Sequence, residues 1–386
     1  MAVGVDLGPE LEAFRNDARV WLEDHRHLAK DGEAWAQAQR EAGYLCPTWP
    51  KEFGGGGLTG VQVAILGDEF RRAKVSRTGR GMGEGLVGPA IMTHGTKEQQ
   101  DHFLPRILSG TDVYCQGFSE PNAGSDLAGL RTRGEVVDGE VVITGQKVWT
   151  SGFSRASMIF CLCRTDLDAP KHQGISYVLV PIRNEDGSPN GIEFRPIKQM
   201  TGGSGFAETF LDEARAPLFN VIGGLNNGWK ATMVTLGNER GGNATSQHLA
   251  WRAGFDALLN DARRLGKTAD PRVRQHLAWC YTQVELMRIN GLRTIGALAG
   301  GRDPGPGASI NKMFWSEYSQ AFTEIATNIL GPAAVAGDGE LSTWTKQFLA
   351  NRSHTIWGGT AEIQRNIVAE RILGMPKEPE PPGVSA

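Results

Sequence analysis

The hydrophobic positions change period twice along the chain. In the first stretch Leu11, Phe14, Ala18, Trp21 and Leu22 recur at helical spacing and predict one buried helix face. Thr96 followed three residues later by Gln99 is a capping box, which predicts a helix running through Ser109. Between such helices, Trp49-Pro50-Lys51-Glu52-Phe53 runs into Gly54 to Gly57 and predicts a loop. From about residue 113 the apolar runs become short and are bounded by turn residues: Gly139-Glu140-Val141-Val142-Ile143-Thr144-Gly145, then Met158 to Cys163, then Ser176 to Val180. These are β-branched-rich runs of strand length. No long helical stretch separates them, which argues against a parallel βαβ sheet. Beyond about residue 223 helical spacing returns. Trp229, Thr232, Met233 and Leu236 predict one face, and Leu277, Tyr281, Val284 and Arg288 another. Thr360 opens a last helix that Gly374 and Pro376 stop. The expected order is a helical domain at 1–112, a sandwich-like or barrel-like β domain at 113–222, a helical bundle at 223–375 and a fraying Pro-rich tail at 376–386.

A chain of 386 residues at net charge −3 is long enough for several cores and gives no reason to expect nucleic acid as a partner. No run of apolar residues is long enough to span a membrane, and Met1 to Leu11 lacks the basic-then-apolar pattern of a secretory leader, so the cytoplasm is the expected compartment. The five cysteines are odd in number and include no Cys-x-x-Cys. Buried free thiols are expected, with no disulfide framework and no metal site. Cys161 and Cys163 alternate along a strand and share one face. Gly83-Glu84-Gly85-Leu86-Val87-Gly88 fits a dinucleotide-binding pattern, but no strand precedes it, so it reads as a Gly-rich connection between helices.

Other segments carry chemistry. Phe118-Ser119-Glu120-Pro121-Asn122-Ala123-Gly124-Ser125-Asp126, Gly145-Gln146-Lys147-Val148-Trp149-Thr150-Ser151-Gly152 and Trp357-Gly358-Gly359-Thr360-Ala361-Glu362-Ile363-Gln364-Arg365 stand in that order. Together they resemble the acyl-CoA dehydrogenase family over about residues 6–374. The resemblance implies an α+β fold with an N-terminal helical domain, a central antiparallel β domain and a C-terminal four-helix bundle. It implies FAD as cofactor and an acyl-CoA thioester as substrate. It further implies electron transfer to an electron-transfer flavoprotein and a tetramer. Such chemistry needs a placed base, donors to the developing enolate oxygen and an electron acceptor stacked over the acyl chain.

By resemblance, Trp149 packs beside the flavin ring and Ser151 brings its hydroxyl to the flavin's reactive edge, in place of the usual Thr. Gln116, Phe118 and Ser119 line the ring through backbone groups, and Ser125 contacts the cofactor and the acyl-CoA. Thr360 and Glu362 fall at positions that touch FAD, although a carboxylate beside a pyrophosphate is unfavourable unless it turns away. Much of the family carries its base where this chain has Gly358. The isovaleryl-CoA and long-chain branches instead place it in an earlier Glu-Arg pair, matched here by Glu239-Arg240. Glu239 is therefore the expected base and Arg240 a substrate contact. Gly358 keeps its N–H for the thioester carbonyl and leaves the acyl pocket wider. The intersubunit half of the cofactor site departs from the family: Gly331 is followed by Pro332-Ala333-Ala334, and Leu265 replaces an aromatic residue. The departures leave open a homotetramer, or a heterotetramer with a related subunit in which this chain is a non-catalytic partner. An oxidase on the same fold is a further alternative.

Overall fold

The computed structural model describes residues 8–241, 247–299, 307–336 and 342–377. Most of the Met1–Leu11 segment and of the 376–386 tail therefore lies outside the described residues. The first helices are α1 (Pro9–His25), α2 (Gly32–Glu41), α3 (Gly60–Arg72), α4 (Gly88–His94) and α5 (Lys97–Ser109). Their ends follow from local chemistry. Pro stands in the first turn of α1, and Asp31 accepts from Glu33 N and Ala34 N at the start of α2. Thr59–Gln62 and Thr96–Gln99 form reciprocal capping boxes on α3 and α5, the second as expected. The Gly83–Val87 segment is not a connection. It is a π-helical turn that runs into α4. Gly83 and Gly88 allow close packing: a Cβ on Gly83 would lie 2.9 Å from Ile107, and one on Gly88, the first residue of α4, 2.1 Å from the Trp49 ring. The Trp49 indole N–H in turn donates to Glu84 O at 3.0 Å.

The strands are β1 (Tyr114–Gly117), β2 (Arg133–Val137), β3 (Glu140–Ser151), β4 (Met158–Arg164), β5 (Ile175–Pro181), β6 (Ile192–Ile197), β7 (Phe206–Pro217) and β8 (Val221–Ile222). They form one sheet in the order β6-β7-β3-β2-β4-β5-β8, with β1 against β4. The sheet is mixed, not wholly antiparallel, because β1 and β2 both run parallel to β4. Every other pairing is antiparallel. β4 has no polar alternation because both its faces are covered. Met158, Phe160 and Leu162 pack into a core shared with the preceding helices, and Ile159, Cys161 and Cys163 into a second core on the other face.

The later helices are α6 (Gly228–Gly241), α7 (Gln247–Arg264), α8 (Pro271–Ala299), α9 (Gly307–Leu330), α10 (Pro332–Val335), α11 (Thr343–Asn351) and α12 (Ala361–Arg371). Their faces correct two expectations. Met233 is exposed, whereas Thr232 is fully buried. On α8 the buried stripe is Leu277, Cys280, Val284 and Met287, so Tyr281 sits off it at 44% exposure. Phe255, Leu258, Phe322 and Ile329 complete that core, and Leu265 packs against it.

The chain forms two compact units. One takes residues up to Gln199 together with Ser204–Glu239, and the other takes Met200–Gly203 and the chain from Arg240. The leading helices, the sheet and most of α6 thus share one unit. Among the described residues no helix is long and apolar enough to cross a membrane.

Candidate functional site

In the first unit the sheet brings two of the singled-out segments together. β1 ends at Gly117 and leads into Phe118-Ser119-Glu120. Val148 N–H donates to Ser119 O at 2.9 Å, which ties that segment to β3 just before Trp149. The pairing of β3 with β7 slips between Lys147 and Thr150, so β3 carries one extra residue there. Trp149 occupies this bulge with φ +62°, a left-handed backbone that a bulky side chain rarely adopts. Trp149 is 59% exposed, and its ring meets that of Phe206 edge-on, with centroids 6.2 Å apart. It is therefore not a core tryptophan. A left-handed backbone under a large exposed aromatic is the kind of strain that makes Trp149 a candidate functional position. Gln116, Ser119 and Ser151 are half-buried nearby in sequence and sheet, and Ser125 is exposed.

Phe118 is different. Its side chain is buried against Phe160 and Tyr177, so only its backbone can serve a cofactor. That backbone carbonyl already accepts from Lys147 Nζ at 3.2 Å. Lys147 and Glu120 were not singled out in the sequence, although both lie inside the matched segments. Nothing in the local pattern marks them, since Glu120 stands between Ser119 and Pro121 outside any strand and Lys147 follows Gln146 on β3.

Glu239 and Arg240 stand in the last turn of α6, and their side chains lie outside the described residues. Position 239 follows Thr235 by one turn on the same helix face. Thr235 is fully buried, lies 3.3 Å from the Tyr177 hydroxyl and donates to Leu86 O at 3.4 Å. α6 is thus fixed to both the sheet and the Gly83–Val87 turn one turn before the candidate base.

In the second unit, Gly358 and Gly359 have φ +67° and +87°, so the chain turns through two left-handed residues before α12. A Cβ on Gly359 would lie 2.3 Å from Gln364 Nε2. Thr360 caps α12 by accepting from Ile363 N at 3.2 Å, and its hydroxyl is thereby engaged in a cap. Glu362 is exposed in the first turn of α12, where backbone N–H and the Thr360 hydroxyl hold its carboxyl below the usual range. Ahead of the glycines, Lys312 lies 4.9 Å from the Trp315 ring and 5.1 Å from the Trp357 ring, and donates to His354 O. No sequence signal joined these residues, since Lys312 lies on α9, more than 40 positions earlier. Among the described residues no His, Cys, Asp and Glu cluster fit to hold a metal is present.

Residues 9–111, 115–213 and 226–373 match the N-terminal, middle and C-terminal domains of acyl-CoA dehydrogenases. The chain belongs to the acyl-CoA dehydrogenase family. It is 38% identical to acyl-CoA dehydrogenase IpdE1 of Mycolicibacterium smegmatis, over 96% of this chain and 99% of that protein. Its fold is similar to a steroid acyl-CoA dehydrogenase structure, Tcur3481-Tcur3483, at 31% identity and TM-score 0.80, over 97% of this chain and all of that one. It is also similar to the ChsE4-ChsE5 complex of Mycobacterium tuberculosis, at 28% identity and TM-score 0.77 over 98% of this chain and all of that one. The acyl-CoA dehydrogenase is a flavoprotein that uses FAD. The exposed, strained Trp149 and the half-buried Gln116, Ser119 and Ser151 fit that cofactor: a planar face beside polar groups able to bond a ring edge.

Proposed function

We propose that the chain removes hydrogens from the α and β carbons of a bulky, ring-bearing acyl-CoA thioester, with Glu239 as the base. The feature that carries this is in the sequence: Glu239-Arg240 ends α6 and position 358 holds glycine, in a chain that keeps the three family segments. FAD supplies the hydride acceptor. Glu239 takes the α-proton and Arg240 steadies the substrate. The Gly358 N–H donates to the thioester carbonyl, where charge develops. A glycine there, with no side chain, suits a large acyl group, and a steroid acyl-CoA dehydrogenase is among the similar structures. Electrons then pass to an electron-transfer flavoprotein. The cytoplasm is the compartment this chemistry suits.

The test is anaerobic mixing of the FAD-loaded enzyme with a panel of acyl-CoA thioesters, from straight-chain to steroid-derived. Flavin absorbance should bleach with the ring-bearing thioesters. Glu239→Gln should retain FAD and bleach at least a hundredfold more slowly. Normal bleaching by that variant would remove Glu239 from the mechanism. Rapid peroxide formation in air would move the reading to an oxidase.

One observation favours a mixed assembly over a homotetramer. The turn at Gly331 continues as Pro332-Ala333-Ala334 and forms the short helix α10, and Leu265 packs into its own unit's core. Neither offers the expected intersubunit groups, and ChsE4-ChsE5 is itself a complex. Native mass spectrometry of the chain alone and with a related subunit distinguishes the two.

A further inference from the structure

We infer that the buried Lys147–Glu120 ion pair is a positioning device for the flavin-facing groups, locking the Phe118–Ala123 segment to the Trp149 bulge. The inference rests on the reading that these groups face FAD.

The Lys147 side chain is fully buried and that of Glu120 is 9% exposed. Lys147 Nζ donates to Glu120 Oε1 at 2.8 Å and to Phe118 O at 3.2 Å. Glu120 Oε1 also accepts from Thr132 N at 2.8 Å, and Oε2 from Arg131 N at 2.7 Å. The segment closes on itself as well: Glu120 N–H donates to Ala123 O, and Ala123 N–H to Glu120 O. One carboxylate therefore fixes a turn, the approach to β2 and the ammonium group of β3.

Where the pair sits explains what it does. Lys147 is the last paired residue of β3 before the register slips, opposite Thr209 on β7. The next residue bonds Ser119, and the one after is Trp149 at φ +62°. A bulge of this kind can relax by sliding one residue, which would turn the indole to the opposite face. A buried lysine cannot slide with it, because its charge would leave its only carboxylate among the bonds just described. A buried ion pair adds little net stability compared with apolar residues of the same volume. Its value here lies in the single geometry it enforces across both segments. Both side chains are buried and bonded to protein groups, so the role we infer is positioning, not catalysis.

The experiment uses the full chain with FAD and as apoprotein, comparing wild type with Lys147→Met/Glu120→Gln, which leaves no unpaired charge. FAD dissociation, the visible bands of bound flavin and unfolding of the apoprotein are measured. The double variant should still fold, with some loss of stability because an amide at position 120 offers one acceptor oxygen to the two N–H groups of Arg131 and Thr132, and should hold FAD about tenfold or more weakly with displaced flavin bands. Unchanged FAD affinity and unchanged bands in the double variant would overturn the inference. A wild-type chain that takes up no FAD would sink the cofactor reading and this inference together. Should the double variant not fold, Glu120→Asp carries the test, since it keeps both charges and shortens the reach by one methylene. Weaker FAD binding with normal apoprotein unfolding supports the positioning role, and normal FAD binding overturns it.

Discussion

Trp149 and Trp49 are the same residue type in opposite situations. Trp49 is 1% exposed, touches Gly88 and bonds Glu84 O. Trp49→Ala should cost about 3–5 kcal/mol of unfolding free energy, read by chemical denaturation. Trp149 is mostly exposed on a backbone that costs about 1 kcal/mol or more for any side chain. Trp149→Gly should leave the unfolding midpoint of the apoprotein unchanged or higher, and should lower FAD affinity by at least about tenfold in a flavin titration. The sequence placed Trp49 in a loop and Trp149 in a family segment, but it could not show that the loop tryptophan is the buried one and the strand tryptophan the exposed one. The segment around Trp149 made it a candidate by resemblance, and only the bulge explains how a strand residue reaches outward. Lys147 and Glu120 stayed unassigned for the converse reason: a buried charge is visible only once its partner, 27 positions away, is seen beside it.

At the scale of elements, capping chemistry was legible and helix phase was less so. Thr96–Gln99 and Thr360 marked their helices correctly. On α8 the stripe slipped by one residue, from Tyr281 to Cys280, because the tyrosine serves as a half-apolar surface residue beside Arg252. The Gly83–Gly88 segment was misread because glycine is a poor helix former, and packing overrode the propensity. That override separates two glycines in one turn. A Cβ on Gly85 meets nothing within 4 Å, whereas one on Gly88 meets the Trp49 ring. Gly85→Ala should therefore be neutral or stabilise by about 0.5–1 kcal/mol, and Gly88→Ala should destabilise by about 1–3 kcal/mol, both by thermal or urea unfolding. On α12, Gln364 is fully buried and its amide has no hydrogen-bond partner among the described residues. Gln364→Met should raise stability by about 1 kcal/mol or more in the same assay, because an unmade buried hydrogen bond is costly.

The whole molecule responds to pH through groups in each unit. Burial alone would raise the Glu120 carboxyl, but the Lys147 charge and hydrogen bond, with Thr132 and Arg131 N–H, hold it below the usual range. Its stabilising effect is present above the ordinary carboxylate pKa of about 4.3 and is lost below it. Burial, then the charge of Lys312, pushes the His354 imidazole down to about 4. The unfolded chain takes that proton near pH 6.5 and the folded one near 4, so stability falls as pH drops through this window. Denaturation series should show this earlier loss, and His354→Asn should flatten it. All five cysteines are buried, and burial raises their thiols, to about 11 for Cys161 and about 12 for Cys46, Cys115 and Cys280. Cys163 is likewise raised. A colorimetric thiol reagent should therefore react with none in the native protein and with all after denaturation. The helix–sheet–helix order was legible because period alone encodes it. The grouping of the sheet with most of α6 was not, since it depends on Thr235 meeting Tyr177 and Leu86 across long stretches of chain.

The left-handed backbone at position 149 sets two goals of protein engineering against each other. Glycine is the residue that relieves the strain, and it is also the one that removes the ring. A library screened only for heat resistance should drift toward glycine or asparagine at 149 and yield robust protein that holds its flavin more weakly. A screen that selects on yellow colour as well as on survival should keep the tryptophan and accept the lower melting point that comes with it.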